Sequence, residues 1–154
     1  MAYHCELKQQ PAQPVLSIRT RTAVQDLREV LGKSYGSIMG YLMELGEPPV
    51  DVPFTAYYNM DMQDLDVEIG FPVGKALPPR GENQSSVIPA GRYACCVHTG
   101  PYGAVEPACN ALNAWIAQNG LEPTGVSCEF YLNDPSETPP EALQTRITFP
   151  LQGD

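Results

Sequence analysis

Positive charge is scarce in this chain. Nine Lys and Arg stand against eighteen Asp and Glu in 154 residues, for a formal net charge of −9. A phosphate backbone needs a concentrated Lys and Arg surface, so direct nucleic-acid binding is not expected. Most of the acidity serves solubility, and where it serves recognition it favours cations. No run of about 18 apolar residues occurs either, and the opening MAYHCELKQQ has neither the basic stretch nor the apolar run of a signal. No membrane span is expected, and the chain reads as cytosolic. The five cysteines (Cys5, Cys95, Cys96, Cys109, Cys128) form no C-x-x-C pair and are odd in number. That excludes a complete disulfide framework and leaves no zinc spacing. They read as small core residues in a reducing compartment; neither a metal nor a cofactor is expected.

Proline and glycine, by contrast, are plentiful. The sixteen prolines and thirteen glycines fall at element boundaries (Pro48 and Pro49, Pro78 and Pro79, Pro139 and Pro140), which marks turns. A chain of this size buries about 70% of its unfolded surface, enough for one core and little for two independent domains. The expectation is one domain over 1–154 with two internal repeats, about 1–74 and 84–151. PFTAYYNMDMQDLDVEIGFP (53–72) matches VSCEFYLNDPSETPPEALQTRITFP (126–150), pairing Tyr58 with Tyr131, Asp61 with Asp134, and Phe71 and Pro72 with Phe149 and Pro150. Pro11 and Ala12 recur as Pro89 and Ala90, and Gly46 recurs as Gly120. The fold class read from this is α+β: tandem strand-helix-strand-strand modules with pseudo-twofold symmetry and a ligand cleft between the modules.

Within each module, a strand broken at proline comes first (3–8 and 13–21; 84–88 and 91–98). Leu27, Leu31, Ile38, Leu42 and Leu45 then keep one face of a helix from Val24 to Leu45 apolar. Gly32, Gly36 and Gly40 form another stripe of it, where close packing is expected. The second helix spans about Pro107 to Asn119, with Cys109, Leu112 and Ile116 inward; Trp115 lies at its flank, either as core packing or as a pocket wall. Two strands follow each helix (54–60 with 65–73, and 127–133 with 144–151), and the polar stretch 75–83 joins the modules.

The second repeat carries one carboxylate the first lacks: Glu129 stands where the first has Ala56. Strand alternation puts Cys128, Phe130 and Leu132 on one face and Glu129 and Tyr131 on the other. The apolar set is expected beneath the helix, so Glu129 and Tyr131 project from the far side with Arg146 or Thr148. Ala56, Tyr58, Glu68 and Gly70 take the same face in the first repeat. Tyrosines around a carboxylate suit a bulky organic cation through cation-π attraction of about 0.5–2 kcal/mol per ring, and the carboxylate could also act as a general base. The competing reading is a solvent-exposed ion pair of Glu129 with Arg146. His98 has no nucleophile beside it and reads as structural.

IPAGRYACCVHTGPYGAVEPACNALNAWIAQNG, CEFYLNDP and ITFPL closely resemble the second half of GyrI-like small-molecule-binding domains, also called effector-binding domains, and PAQPVLSIRTRT with IGFPV resembles the first half. The resemblance implies a ligand in the cleft between two modules and a drug-contacting carboxylate in the E-x-Y strand, which falls on Glu129 with Tyr131 beside it. The candidate ligand contacts are Glu129, Tyr131, Tyr58, Glu68, Trp115 and Tyr93, and Glu129 is the candidate catalytic residue of an enzyme. Regulatory family members carry a helix-turn-helix region upstream, for which residues 1–13 leave no room. The function implied is binding of hydrophobic, cationic or polyaromatic drugs or toxins by a stand-alone member. Hydrolysis of cyclopropane-bearing electrophiles with the same glutamate is the alternative, and contact with gyrase a further one.

Overall fold

The computed structural model describes residues 3–101, 104–134 and 136–152. Tyr102 of the GPY motif and Pro135 of NDP lie outside them. Each of two compact units, 12–89 and 1–11 with 90–154, sets one helix on a four-stranded antiparallel sheet, an α+β architecture.

In the chain order of the first unit come β2 (Gln13–Thr22), α1 (Leu27–Leu45), β3 (Phe54–Tyr57), β4 (Leu65–Pro72) and β5 (Gln84–Ile88), with sheet order β3-β4-β2-β5. The other unit holds β1 (Glu6–Gln10), β6 (Gly91–Thr99), α2 (Glu106–Gln118), β7 (Ser127–Tyr131) and β8 (Gln144–Pro150), in the order β1-β6-β8-β7. The short strands pair outside the sequence segments that adjoin them. β1 lies along β6 and β5 along β2, so the units divide at Pro11 and Pro89, where a residue without an N–H interrupts the ladder. The polar stretch 75–83 falls inside the first unit.

Both helices stop on a glycine in the left-handed region, Gly46 and Gly120, each at φ 68. The residue after each glycine donates back into the last turn, Glu47 to Leu42 and Leu121 to Ile116, so orphan carbonyls are satisfied at both ends. A three-residue 3-10 turn, Val24–Asp26, precedes α1. The apolar stripe of α1 packs as its spacing requires: Ile38 and Leu42 join Leu16, Ile18 and Phe71, while Leu27 and Leu31 cover Leu65, Val67 and Ile69. Tyr41, at the flank of that stripe, is buried and donates from its hydroxyl to the Pro78 carbonyl at 2.6 Å. Beneath α2, Ala108, Leu112 and Ile116 pack on Ala94, Cys96, Ile147 and Phe149.

The glycine stripe of α1 does not make the close approach its spacing led us to expect. Gly32, Gly36 and Gly40 are exposed, and a Cβ built on any of them meets open space. Close approach occurs instead at Gly70 in β4, where a Cβ would stand 2.5 Å from the Leu16 carbonyl oxygen and 2.8 Å from Ser17 Cβ.

Candidate functional site

The β7–β8 ladder fixes where Glu129 points. Glu129 is opposite Ile147 and Tyr131 is opposite Thr145, and facing residues of an antiparallel pair share a side of the sheet. Ile147 is fully buried in the cluster that α2 covers. Glu129 and Tyr131 therefore lie on the α2 side, and Cys128 and Phe130, opposite Thr148 and Arg146, on the other. This reverses the strand phase read from the sequence. The alternation was right, but the more apolar set does not go beneath the helix, because the sheet is buried on both sides: Cys128 and Phe130 are buried too, and Arg146 stacks 4.6 Å from the Phe130 ring centroid. In this register Glu129 and Arg146 leave opposite faces of the sheet.

Around Glu129 the chemistry is compact. Its carboxylate is half-buried and accepts a hydrogen bond from the Tyr131 hydroxyl at 3.0 Å. Cys109, half-buried on α2, has its thiol pushed up to about 11, first by burial and then by the negative charge of Glu129. The carboxylate is thus close enough to the flank of α2 to act on a thiol there. Next to Tyr131, Thr145 is fully buried, and its hydroxyl finds no hydrogen-bond partner among the described residues. The sequence places Cys109 on the inward face of the second helix but not beside Glu129, and it does not single out Thr145. The surroundings of each become visible only once the ladder register and the helix rotation are known.

Tyr58 and Glu68 form a second group, on the side of the first unit's sheet away from α1. Val67 and Ile69 pack toward α1, so Glu68 between them points the other way, opposite Arg19 on β2 and Ala56 on β3. Its buried carboxylate accepts from Tyr58 at 2.5 Å and from Ser17 at 2.6 Å. Arg19 lies 3.7 Å from the centroid of the Tyr58 ring and reaches Asp66 with two bonds of 2.6 and 2.8 Å. Gly70 permits this arrangement by bringing the backbone against Ser17. Glu68 is consequently a satisfied structural carboxylate within this unit, on the helix-distal face, whereas Glu129 is on the helix-proximal face of its own. The sequence match of Ala56 with Glu129 and Tyr58 with Tyr131 joined opposite phases. Shifting it by one residue sets Tyr57, half-buried on the α1 side, against Tyr131.

The remaining candidates, Trp115 and Tyr93, lie in the same unit as Glu129. Trp115 packs partly buried against the core beneath α2, the first of its two sequence readings. Tyr93 is buried on β6 two residues before Cys95, and burial together with Cys128 pushes its phenol up, which places it on the side away from α2. His98 is buried, with Nδ1 3.4 Å from the Tyr3 hydroxyl and Nε2 3.3 Å from the Pro101 carbonyl oxygen, a structural role. A depression of about 170 Å³ in the same unit is lined by Glu6, Lys8, Cys95 and Arg146 among others. None of the sequence-read contacts lines it, and it is smaller than the roughly 300 Å³ of ordinary ligand pockets. Among the described residues, no group of three or more His, Cys, Asp or Glu is arranged to hold a metal, and no helix is long and apolar enough to cross a membrane.

Solved structures share the fold. The crystal structure of the EcmrR C-terminal domain matches with a TM-score of 0.81 and 22% identity, over 100% of both chains. SAV2435, solved bound to tetraphenylphosphonium, matches at 0.71 and 15% identity over 99% of this chain and 95% of that one. A hydrolase from Listeria innocua matches at 0.70 and 13% identity, over 98% and 93%. Among curated proteins, no sequence match is found. The family model for the GyrI-like small molecule binding domain matches residues 4–152. The chain belongs to the family of GyrI-like small-molecule-binding domains.

Proposed function

We propose that the chain binds hydrophobic organic cations, with Glu129 as the residue that reads their charge and Tyr131 as its partner. The observation that carries this reading is the half-buried Glu129 carboxylate beside α2, held by the Tyr131 hydroxyl and close enough to Cys109 to raise its thiol. A carboxylate withdrawn from water gains most from a partner that brings positive charge without a tightly held hydration shell. A lipophilic cation is such a partner. Tetraphenylphosphonium, the ligand of the structurally similar SAV2435, is the natural probe. Calorimetric titration should show tetraphenylphosphonium binding more tightly than neutral triphenylphosphine oxide. Glu129→Gln should weaken the cation by about 1–3 kcal/mol and leave the neutral compound nearly unchanged. Equal losses for the two would mean that Glu129 shapes the site without reading charge.

A second reading is turnover on the same carboxylate, in which Glu129 takes a proton from water as the water oxygen bonds to a carbon of a strained electrophilic ring; one ring C–C bond breaks, the electron pair it releases is protonated, and Tyr131 orients the carboxylate. The fold likeness to a hydrolase from Listeria innocua favours testing it. Mass spectrometry of a cyclopropane-bearing electrophile incubated with the wild type and with Glu129→Gln separates the readings. A hydrated product formed by the wild type alone supports turnover, and unchanged compound supports binding.

A further inference from the structure

Three of the five cysteines, scattered in the sequence at 5, 96 and 109, meet on one side of one sheet. β1 and β6 run antiparallel with Glu6 opposite Cys95, so the same register carried one residue beyond the start of β1 sets Cys5 opposite Cys96. Cys96 is buried in the core beneath α2, and Cys5 and Cys109 pack half-buried against that core. Cys95 and Cys128 point the other way. The Cys5 thiol donates to the Tyr3 carbonyl at 3.9 Å and the Cys96 thiol to the Ala108 carbonyl at 3.8 Å.

Backbone geometry makes this pair special among the three. Directly facing residues on antiparallel strands have Cα atoms about 4.5–5.5 Å apart, within the span of about 4.4–6.8 Å that a disulfide bridges. Cys109 sits on a helix and has no such ladder relation to either partner. None of the five cysteines is joined in a disulfide in the structure.

We propose that Cys5 and Cys96 form a thiol oxidation site, which a low-molecular-weight disulfide of the glutathione type converts into a cross-strand disulfide. The half-buried Cys5 is the entry point. It gives up its proton to solvent, and its thiolate attacks one sulfur of the small disulfide; that S–S bond breaks, and the departing thiolate is protonated. Cys96 then loses its own proton and attacks the Cys5 sulfur of the mixed disulfide, expelling the second small thiol. Two protein thiols are oxidised to one disulfide while one small disulfide is reduced to two thiols. The bond would fasten β1, whose residues are largely exposed, to β6. Burial raises the Cys5 thiol and pushes Cys96 up to about 12, so the reaction is slow near neutrality and quickens with pH.

The test is to incubate the purified chain with oxidised glutathione at neutral and alkaline pH and map its peptides without reduction. The expected result is a Cys5–Cys96 linked peptide, formed faster at alkaline pH and accompanied by a higher Tm. Cys5→Ser should abolish the linkage, and Cys96→Ala should leave a glutathione adduct trapped on Cys5. Cys95→Ala, on the other side of the sheet, should still form the bond. A linkage of Cys96 to Cys109, adducts on Cys5 that never resolve in the wild type, or a Cys5–Cys96 bond that appears only in denaturant would overturn the proposal.

Discussion

Glu129 stands directly across the β7–β8 ladder from Ile147, a fully buried residue of the core that α2 covers. A carboxylate in register with a core isoleucine is held on the helix side of its sheet, and half-burial raises the cost of leaving it uncompensated. The Tyr131 hydroxyl supplies one hydrogen bond. Replacing Tyr131 by Phe keeps the ring and deletes that donor. Tyr131→Phe should therefore alter tetraphenylphosphonium affinity by less than Glu129→Gln does, within about 1.5 kcal/mol, the range of one neutral hydrogen bond. Calorimetric titration of the two variants side by side measures the order.

The two glycine environments give opposite signs for the same substitution. Gly36→Ala adds a methyl group to open space on an exposed helix face, and should raise stability by about 0.5–1 kcal/mol through helix propensity. Gly70→Ala drives a Cβ to 2.5 Å from the Leu16 carbonyl oxygen and should lower stability by about 1–3 kcal/mol. Urea midpoints of the two variants at matched m-values decide both.

Glu68 answers to stability. Its two carboxylate oxygens are each taken by a hydroxyl donor, Ser17 on one and Tyr58 on the other. An amide keeps one acceptor oxygen and replaces the other with an NH2 donor, so Glu68→Gln takes the acceptor from one of the two hydroxyls and removes the charge that strengthens both bonds. The expected cost is about 1–3 kcal/mol in urea unfolding, with tetraphenylphosphonium affinity unchanged in the folded variant. A loss of affinity equal to that of Glu129→Gln would mean that Glu68 reads the cation's charge as well.

Much of this arrangement was legible in the sequence because local chemistry dictated it. The left-handed stops at Gly46 and Gly120, the apolar stripe of α1 and the interruption at Pro11 follow from backbone preferences that act over a few residues. What escaped was phase. The run Cys128, Phe130 and Leu132 looks like the set beneath a helix, yet which face of a sheet a helix covers is set by tertiary packing, and a sheet buried on both sides gives alternation no polar face to reveal it. The same ambiguity hid the Cys5–Cys96 facing pair, which depends on β1 pairing with β6 across more than eighty residues, and it misplaced the close approach from the α1 glycines to Gly70.

Asp66 gives a pH signature. The paired hydrogen bonds from Arg19 hold its carboxyl below the ordinary 3.8, against the opposing effect of burial. A folded pKa below the unfolded one means that the unfolded chain takes up the proton first as pH falls. The contribution is fully present above the unfolded value and is lost as pH drops through the folded one. Because Arg19 is 45% exposed, solvent screening keeps the contribution modest. Asp66→Asn should thus be less stable than the wild type at neutral pH, and the gap should close on the acid side of 3.8. Urea midpoints followed from neutrality downward would show it; a gap that stays constant would mean that Asp66 acts through shape alone.

Cys109 offers a direct probe of the Glu129 carboxylate that needs no ligand. Burial is the larger cause of its raised thiol and the Glu129 charge the second, with Glu106 third. Glu129→Gln removes a negative charge that opposes formation of the thiolate, so the Cys109 pKa should fall from about 11 toward the ordinary 9.0 without reaching it, because the burial is unchanged. The rate of Cys109 alkylation by iodoacetamide, resolved by peptide mass spectrometry, should rise at every pH below that pKa. Cys95, on the other side of the sheet and raised chiefly by burial, should not change and serves as the internal standard. Tetraphenylphosphonium bound beside Glu129 would oppose the same negative charge, yet its bulk would also shield the thiol. Saturating cation should therefore slow Cys109 alkylation in the wild type, and have little effect in Glu129→Gln at the same concentration. An alkylation rate at Cys109 that is indifferent to both the substitution and the cation would remove Glu129 from the flank of α2, and with it the proposed charge-reading site.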